Sequence, residues 1–181
     1  MNILSWKGGF EDYSLILIKV PPDGHCLFHA LCLSFFKPYK ENANERKSIV
    51  EDLRLELSEN LDEVYEDLHN GNIKEFSMYV NDYKLPFMKK QLAGSGFIGY
   101  GYLEYISNMM NVDIYILSGD EEDIYVSDEK SFDKQRQSVI LHYQHHHYDL
   151  VGLYENKKIT TIFCPRHEFI RMLRKRYRLL V

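Results

Sequence analysis

Helical patterns come first in this chain, and strand-like runs come mainly last. The longest helical pattern runs from about Asn44 to Leu68, where apolar residues recur every three or four positions before Asn70-Gly71 supplies a stop. Four later runs have the length and composition of strands: Val112 to Leu117, Ser138 to Tyr143, Tyr148 to Leu153 and Ile159 to Phe163. This order predicts an α+β domain with a small, mostly antiparallel sheet.

Shorter elements complete the expected organisation. A strand is predicted from Tyr13 to Val20, and a helix from Cys26 that Pro38 ends, with one apolar face of Leu27, Ala30, Leu31, Ser34 and Phe35. Two further helices are predicted, about Ile73 to Asn81 and Tyr102 to Met110, and a glycine-rich loop between them, from Ala93 to Gly101.

Size and charge narrow the class of protein. The chain has 181 residues, 45% of them hydrophobic, which suits one domain with a substantial core. Its formal net charge is −5, which argues against general nucleic-acid binding because that function needs a basic surface.

Cysteine usage and hydropathy predict the compartment. Cys26, Cys32 and Cys164 are too few and too irregularly spaced for a disulfide framework, so a reducing environment is expected. The segment Met1 to Lys7 lacks the pattern of a secretory signal, and no run approaches the roughly 20 apolar residues of a membrane helix. We therefore predict a cytoplasmic protein without a membrane span.

The C-terminal segment differs in charge from the rest. Between Arg166 and Arg178 there are six basic residues and one acid. An amphipathic helix over about 166–177, packed through Phe169, Ile170, Leu173 and Tyr177, explains this pattern. The alternative is a nucleic-acid or membrane contact.

Cys26 is the first candidate for chemistry, because it lies where a loop becomes a helix. Amides at a helix N-terminus favour a thiolate and could hold an oxyanion, so the pKa of Cys26 is expected to be low. Gly24 would let the backbone approach a substrate that a side chain would block, and Asp23 could cap the helix or brace the loop. The alternative is that Cys26 is a small buried hydrophobe.

A base for this thiol is predicted in the histidine-rich segment 142–149. His147 and Asp149 are two residues apart, so on a strand they share a face, and Asp149 could orient the imidazole towards Cys26. His145 and His146 are expected in a turn. A metal site is a weaker interpretation, because no cysteine or acid lies at zinc-like spacing from His142 or His145.

These residues resemble a known family. The motif Asp23-Gly24-His25-Cys26-Leu27-Phe28-His29-Ala30 is similar to the nucleophile motif of the ovarian-tumour (OTU) family of deubiquitinating cysteine proteases. The segment Ile140 to Asp149 resembles its catalytic-histidine strand pair, and Gly101 to Tyr105 its central glycine-glutamate helix. The resemblance covers about Ile18 to Leu153; His25 departs from it, since the family usually has a small or acidic residue there.

The resemblance implies a compact, papain-like OTU domain that occupies residues 1–181 as one unit, with a core of about 13–163 and a small sheet between helical layers. It implies hydrolysis of the isopeptide bond after the C-terminal glycine of ubiquitin or a ubiquitin-like modifier, with no metal or organic cofactor. Cys26 would be the nucleophile, His147 the base and Asp149 the orienting acid, while the loop of Asp23, Gly24 and His25 would present oxyanion amides. Ubiquitin, polyubiquitin chains or ubiquitin-like modifiers are the expected partners, and a viral or bacterial effector in host cytoplasm is one expected source.

Two alternatives stay open at this point. One is a papain-like cysteine peptidase that cuts ordinary peptide bonds. The other is a non-catalytic ubiquitin-binding module. The presence of Cys26, His147 and Asp149 together favours an enzyme over the binding module.

Overall fold

The computed structural model describes residues 2–6, 9–70, 82–128 and 135–180. The α helices of this part of the chain are α1 (Cys26–Phe35), α2 (Lys37–Glu41), α3 (Arg46–Asn70), α4 (Leu85–Ala93), α5 (Leu103–Met110) and α6 (Glu168–Leu180). The strands are β1 (Leu15–Ile18), β2 (Val112–Ser118), β3 (Ile124–Val126), β4 (Gln137–Gln144), β5 (His147–Glu155), β6 (Lys158–Thr160) and β7 (Ile162–Phe163). Short 3₁₀ turns over Ala43–Glu45 and Tyr100–Tyr102 precede α3 and α5.

The strands form one mixed sheet with the order β1-β5-β4-β2-β3, to which β6 adds beside β5 and β7 beside β4. β2 and β4 pair in parallel, from Val112 opposite Gln137 to Ser118 opposite Tyr143. The other strand pairs described are antiparallel, so the predicted α+β class with a mostly antiparallel sheet is confirmed. Every residue of β2 is buried, which is typical of a strand covered on both faces.

Two apolar clusters lie on the two faces of this sheet. The larger contains Leu31 of α1, Leu57 of α3 and Ile106 of α5, packed against Ile114 and Leu141 of the sheet. The smaller cluster lies on the opposite face of the sheet, where α6 packs against the strands. Its members include Trp6, Tyr115, Ile140, Val151, Phe169, Ile170 and Leu173. Helices therefore cover the sheet on both sides, as predicted.

α3 buries most of the apolar stripe predicted for it, and it also buries one charged residue. Val50, Leu57, Leu61 and Leu68 are buried. Arg54 lies on the same face and is fully buried too, although its side chain is charged. A charged side chain that is directed into the domain therefore interrupts the apolar stripe of α3.

α1 differs from its prediction. Instead of one apolar face, it is buried on nearly every side, including the polar His29 and Ser34. It ends at Phe35 as expected, but Pro38 lies in the first turn of α2, where a missing amide hydrogen costs nothing. A helix enclosed by α3, β4 and β5 has no solvated face, so amphipathic periodicity was the wrong guide here.

Other elements differ from the sequence-based set. α4 and β3 were not predicted, and the run Ile159 to Phe163 is two short strands rather than one. The helix predicted over Ile73 to Asn81 lies outside the described residues. None of these differences changes the path of the strands that carry the candidate site.

The basic C-terminal segment is helical, and its apolar side packs onto the sheet. Phe169, Ile170 and Leu173 are fully buried, as predicted for an amphipathic helix. Arg174 donates to the Tyr115 hydroxyl at 2.9 Å, so part of the basic charge faces the protein. Of the described helices, none is both long and apolar enough to cross a membrane.

Candidate active site

Cys26 is the first residue of α1 and is buried, with 3% of its surface exposed. Burial raises the pKa of its thiol, and this outweighs the opposing effect of the backbone amides of Tyr148, Leu27 and Cys26 itself. The expectation of a low thiol pKa is therefore wrong for the substrate-free protein. Desolvation disfavours the thiolate more strongly than the amides favour it.

The amide of Tyr148 connects the thiol to β5. Tyr148 directly follows His147, so the Cys26 sulfur lies beside the strand that begins with the predicted base. α1 and β5 pack against each other. Residues separated by more than 100 positions in the sequence thus meet at one end of the sheet.

His147 and Asp149 are in direct contact. The Nε2 atom of His147 lies 3.1 Å from Oδ1 of Asp149. A carboxylate only accepts, so Nε2 carries the hydrogen and Nδ1 keeps its lone pair. The distance is within the predicted hydrogen-bond range, and the tautomer is the one a general base requires.

Asp149 is itself held from two sides. The Val20 amide donates to Oδ1 at 3.1 Å, and the Lys19 ammonium donates to Oδ2 at 2.7 Å. Asp149 is 2% exposed, so these partners compensate its buried charge. They come from the chain just after β1, which pairs with β5 in antiparallel register, with Ile18 opposite Leu150.

The other histidines of the cluster have different positions. His145 and His146 form the two-residue turn between β4 and β5, as predicted. Both have a positive φ, which is typical of such tight hairpin turns. The His145 amide donates to Oδ2 of Asp120 at 2.9 Å. His142 is buried in β4, opposite Asp149.

Asp23 braces the loop before α1. Its Oδ1 accepts the His25 amide at 3.0 Å, and its Oδ2 lies 3.1 Å from His29 Nε2. The N-cap residue of α1 is His25, whose side chain makes no capping bond. Of the two roles considered for Asp23, the structure supports the brace. Burial raises the pKa of Asp23, but the bonds from His25 and His29 together outweigh it, and the pKa is lowered.

The structure adds a reason for glycine at position 24 that the sequence did not predict. Its φ is +82°, a conformation that favours glycine, and a Cβ there would lie 1.9 Å from the Ser95 carbonyl oxygen. The close approach is thus between two loops of the protein. It packs the loop before α1 directly onto the glycine-rich segment 94–96.

Aromatic rings border the site on the side of this glycine-rich segment. Phe97 stacks on Tyr148, with ring centroids 5.4 Å apart and 5° between the ring planes. The same ring contacts His146 edge-on at 5.5 Å. The segment predicted only as a glycine-rich loop therefore forms an apolar wall near the start of β5.

Sequence reasoning missed Lys19 and Arg54 as parts of this region. Nothing in the sequence near Lys19 points to Asp149, since their contact depends on the pairing of β1 with β5. Arg54 could have been noticed, because it lies four residues after Val50 and three before Leu57 on the buried face of α3. Among the described residues, no cluster of three or more His, Cys, Asp or Glu side chains is placed to hold a metal ion.

The geometry is that of a thiol at a helix N-terminus beside a histidine–aspartate pair, and one family profile matches the sequence that forms it. The profile of the OTU-like cysteine proteases matches residues 21–154, which include Cys26, His147 and Asp149. The chain belongs to this family. No protein of curated function is similar enough in sequence to count as a relative.

Solved structures have the same fold as this OTU-like cysteine protease. An OTU domain determined in complex with ubiquitin is 23% identical, with a TM-score of 0.61 over 99% of this chain and 90% of that one. The viral OTU domain protease of Taggert virus is 17% identical, with a TM-score of 0.55 over 83% and 85% of the two chains. The OTU domain of OTUD1 is 19% identical, with a TM-score of 0.51 over 76% and 85%. The predicted papain-like OTU fold is confirmed.

Proposed function

We propose that this OTU-like cysteine protease is a deubiquitinase that hydrolyses the isopeptide bond after the C-terminal glycine of ubiquitin or a ubiquitin-like modifier. The observation that carries the proposal is the 3.1 Å contact between His147 and Asp149 at the start of β5, with the Cys26 sulfur beside the next amide along that strand. Family membership supports cysteine-protease chemistry. One structure of the same fold was determined with ubiquitin bound, which supports ubiquitin as the substrate.

In the proposed reaction, the Cys26 sulfur attacks the carbonyl carbon of the terminal glycine. His147 accepts the thiol proton at Nδ1, since its Nε2–H is engaged by Asp149. Burial raises the pKa of Cys26 and so disfavours the free thiolate, which is why proton transfer to His147 accompanies the attack in the proposed reaction. His147 then gives this proton to the departing lysine amine, which leaves a thioester on Cys26.

The second half of the reaction uses the same groups. Water attacks the thioester carbonyl while His147 Nδ1 takes a proton from it. The tetrahedral intermediate collapses, His147 returns its proton to the Cys26 sulfur, and ubiquitin leaves with a carboxyl group that releases the second proton of the water to solvent. Asp149 stays ionised throughout and holds the imidazole in one tautomer and one orientation.

Backbone amides at Asp23, Gly24 and Cys26 would hold the oxyanion of both intermediates. A single such donor contributes roughly 3 kcal/mol to other acyl-transfer sites. The positive φ of Gly24 and the bonds of Asp23 to His25 and His29 hold this loop in one conformation. A preformed loop suits the role, because no reorganisation is then needed when negative charge develops.

Charge and shape are consistent with this substrate. The acidic chain, with a net charge of −5, complements the basic C-terminal tail of ubiquitin. The partly exposed Phe97 ring, which stacks on the buried Tyr148, narrows this end of the sheet, and a narrow site suits a substrate end of glycine, which has no side chain to accommodate.

The deciding experiment compares three substrates at equal concentration: a ubiquitin C-terminal fluorogenic amide, an isopeptide-linked diubiquitin and a short fluorogenic peptide with the same last residues. We expect cleavage of both ubiquitin substrates with a kcat/KM at least 10²-fold above that of the peptide. A ubiquitin-based electrophilic probe should label Cys26. Equal rates on the peptide would favour a general papain-like peptidase, and binding of ubiquitin without labelling or turnover would favour a non-catalytic module.

A further inference from the structure

Arg54 has an unusual environment for a charged residue. It is fully buried in α3, with none of its surface exposed. A buried arginine normally pairs with a carboxylate, but the partners of Arg54 among the described residues are backbone carbonyls and an imidazole ring. Its position therefore needs an explanation beyond ordinary packing.

All five N–H groups of the guanidinium are used. Nε donates to the Leu92 carbonyl at 2.8 Å, while Nη2 donates to the Gln91 carbonyl at 2.7 Å and the Gly96 carbonyl at 3.0 Å. Nη1 donates to the Gly24 carbonyl at 3.0 Å and to Nδ1 of His25 at 3.2 Å. Arginine has five such donors in a fixed plane, so the set is complete.

The charge is compensated by dipoles. The Gln91 and Leu92 carbonyls belong to the last turn of α4, where free carbonyls create a negative end. Burial lowers the pKa of Arg54 to about 10, while nearby Cys26 and Asp23 act in the opposite direction. Arg54 therefore remains a cation at neutral pH, and it lies close to Cys26.

These hydrogen bonds hold three parts of the chain around one guanidinium. One is the loop of Gly24 and His25, the second is the end of α4, and the third is the glycine-rich segment at Gly96. The Arg54 guanidinium also lies 5.1 Å from the centroid of the Phe28 ring in the first turn of α1. The Gly24 carbonyl belongs to the peptide unit whose other end is the His25 amide, so fixing that oxygen fixes the plane of the peptide.

We propose that Arg54 is a positioning residue that holds the loop before Cys26 in the conformation that presents its amides to the oxyanion. The proposal rests on the proposed acyl-transfer function and adds a residue to its machinery. Arg54 itself touches no substrate. It acts by fixing the Gly24 carbonyl and the His25 ring against α4 and Gly96.

Arg54→Lys tests the proposal, because lysine keeps the charge but offers three donors from one point and cannot satisfy five separated acceptors. Arg136→Lys is the matched control. Arg136 is also buried, but its partners are Asp113, Ser107 and Asn108, away from the loop before Cys26. Both variants should lose stability.

Three measurements separate positioning from a structural role. With the fluorogenic ubiquitin substrate, Arg54→Lys should lower kcat by about 10²-fold, the order seen when an oxyanion donor is lost, with KM changed less than threefold. Alkylation of Cys26 by iodoacetamide needs a thiolate but no oxyanion amides, so its rate should stay within threefold of wild type. Arg136→Lys should leave all three quantities near wild type.

Hydrogen exchange gives a readout that needs no substrate. The His25 amide, now bonded to Asp23, should exchange at least tenfold faster in Arg54→Lys than in Arg136→Lys. If wild type fails to cleave ubiquitin, the proposed function is wrong, and exchange at His25 still decides whether Arg54 holds the loop.

The proposal is overturned by equal kcat losses in the two arginine variants, by alkylation that falls in parallel with kcat, or by unchanged exchange at His25. If Arg54→Lys does not fold, His25→Leu removes one of the five acceptors and leaves Arg54 in place. That variant should lower kcat severalfold without altering alkylation, and an unchanged kcat there would equally contradict the role.

Discussion

α1 carries two buried cysteines, and the two sulfurs have different surroundings. Cys26, at the N-terminal end, has the amides of Tyr148 and Leu27 directed at it. Cys32, one and a half turns later, lies beside an apolar groove lined by residues such as Phe36, Leu53 and Met109, and burial alone raises its pKa to about 12.

Burial is common to both thiols, so it does not distinguish a nucleophile from a packing residue. What differs is the set of polar groups within reach. At the N-terminal end, amides can stabilise a thiolate and His147 can remove its proton; at Cys32 only desolvation acts on the thiol.

The two cysteines should give opposite results when replaced by alanine. Cys26→Ala should abolish turnover and probe labelling, because it removes the attacking atom. Cys32→Ala should keep turnover near wild type while lowering the free energy of unfolding by about 1–2 kcal/mol through a small cavity. Fluorogenic ubiquitin cleavage and chemical denaturation measure both; residual turnover in Cys26→Ala would end the assignment. Cys164→Ala, at an exposed position, should change neither quantity.

His147 alone among the clustered histidines should act as the catalytic base. His147→Ala should lower kcat by about 10²–10⁴-fold because the thiol loses its proton acceptor. His145→Ala, in the adjoining turn, is the control and should stay within severalfold of wild type. If the two variants showed the reverse order of activity, the base would lie in the turn and not on β5.

The orienting acid should have a comparable but separable effect. Asp149→Asn keeps the shape of the side chain but allows the wrong imidazole tautomer, and should lower kcat by up to about 10⁴-fold. Lys19→Met removes only a largely exposed partner of Asp149 and should cost less than tenfold in kcat. An Asp149→Asn enzyme with normal kcat would show that His147 is oriented by something else.

Tyr39→Phe tests how far the polar network extends along α1. The Tyr39 hydroxyl lies 2.7 Å from Nδ1 of His29, whose Nε2 in turn contacts Asp23. Loss of the hydroxyl leaves a buried nitrogen without its partner and should cost about 1–3 kcal/mol of stability. Turnover should fall only severalfold, since Asp23 still bonds to the His25 amide; a loss as large as that of His147→Ala would contradict this view.

The smallest expected effect is a pH dependence of stability from His25 at the N-terminal end. Burial and then Arg54 lower its pKa below the usual 6.5, against the opposing effects of Asp23 and Glu51; His29 adds to the lowering. The unfolded chain therefore binds more protons below pH 6.5, and stability falls as pH decreases through that value. Between pH 7 and 6 the loss assigned to His25 should be less than about 1 kcal/mol. Denaturation of wild type and His25→Leu at both pH values measures it, and an equal pH dependence in the two would remove His25 as its source.

Apolar periodicity predicts an element best when one of its sides is buried and the other is solvated. α3 has one buried and one solvated side, so its pattern is visible in the sequence. β4 and β5 face an apolar cluster on each side and were predicted instead from the length and composition of their apolar runs. α1 is enclosed on nearly all sides and therefore has no polar face to mark it. β3 has too few residues for a pattern and pairs with β2 at the edge of the sheet. α4 buries only Met88 and Leu92, so its apolar face is sparse, and its place depends on packing against α3.

The candidate site likewise combines features that are local in the sequence with features that depend on contacts between distant segments. Cys26 at a loop–helix junction and the alternate positions of His147 and Asp149 are local features, because strand geometry places residues two apart on one side. The sequence by itself therefore determined which thiol, which imidazole and which carboxylate could work together. Three further features appear only in the folded chain: Lys19 and Val20 hold Asp149, Arg54 donates to the Gly24 carbonyl, and burial raises the pKa of Cys26. Those three features depend on contacts between distant segments and on exclusion of water, and neither is encoded in the spacing of residues along one strand or helix.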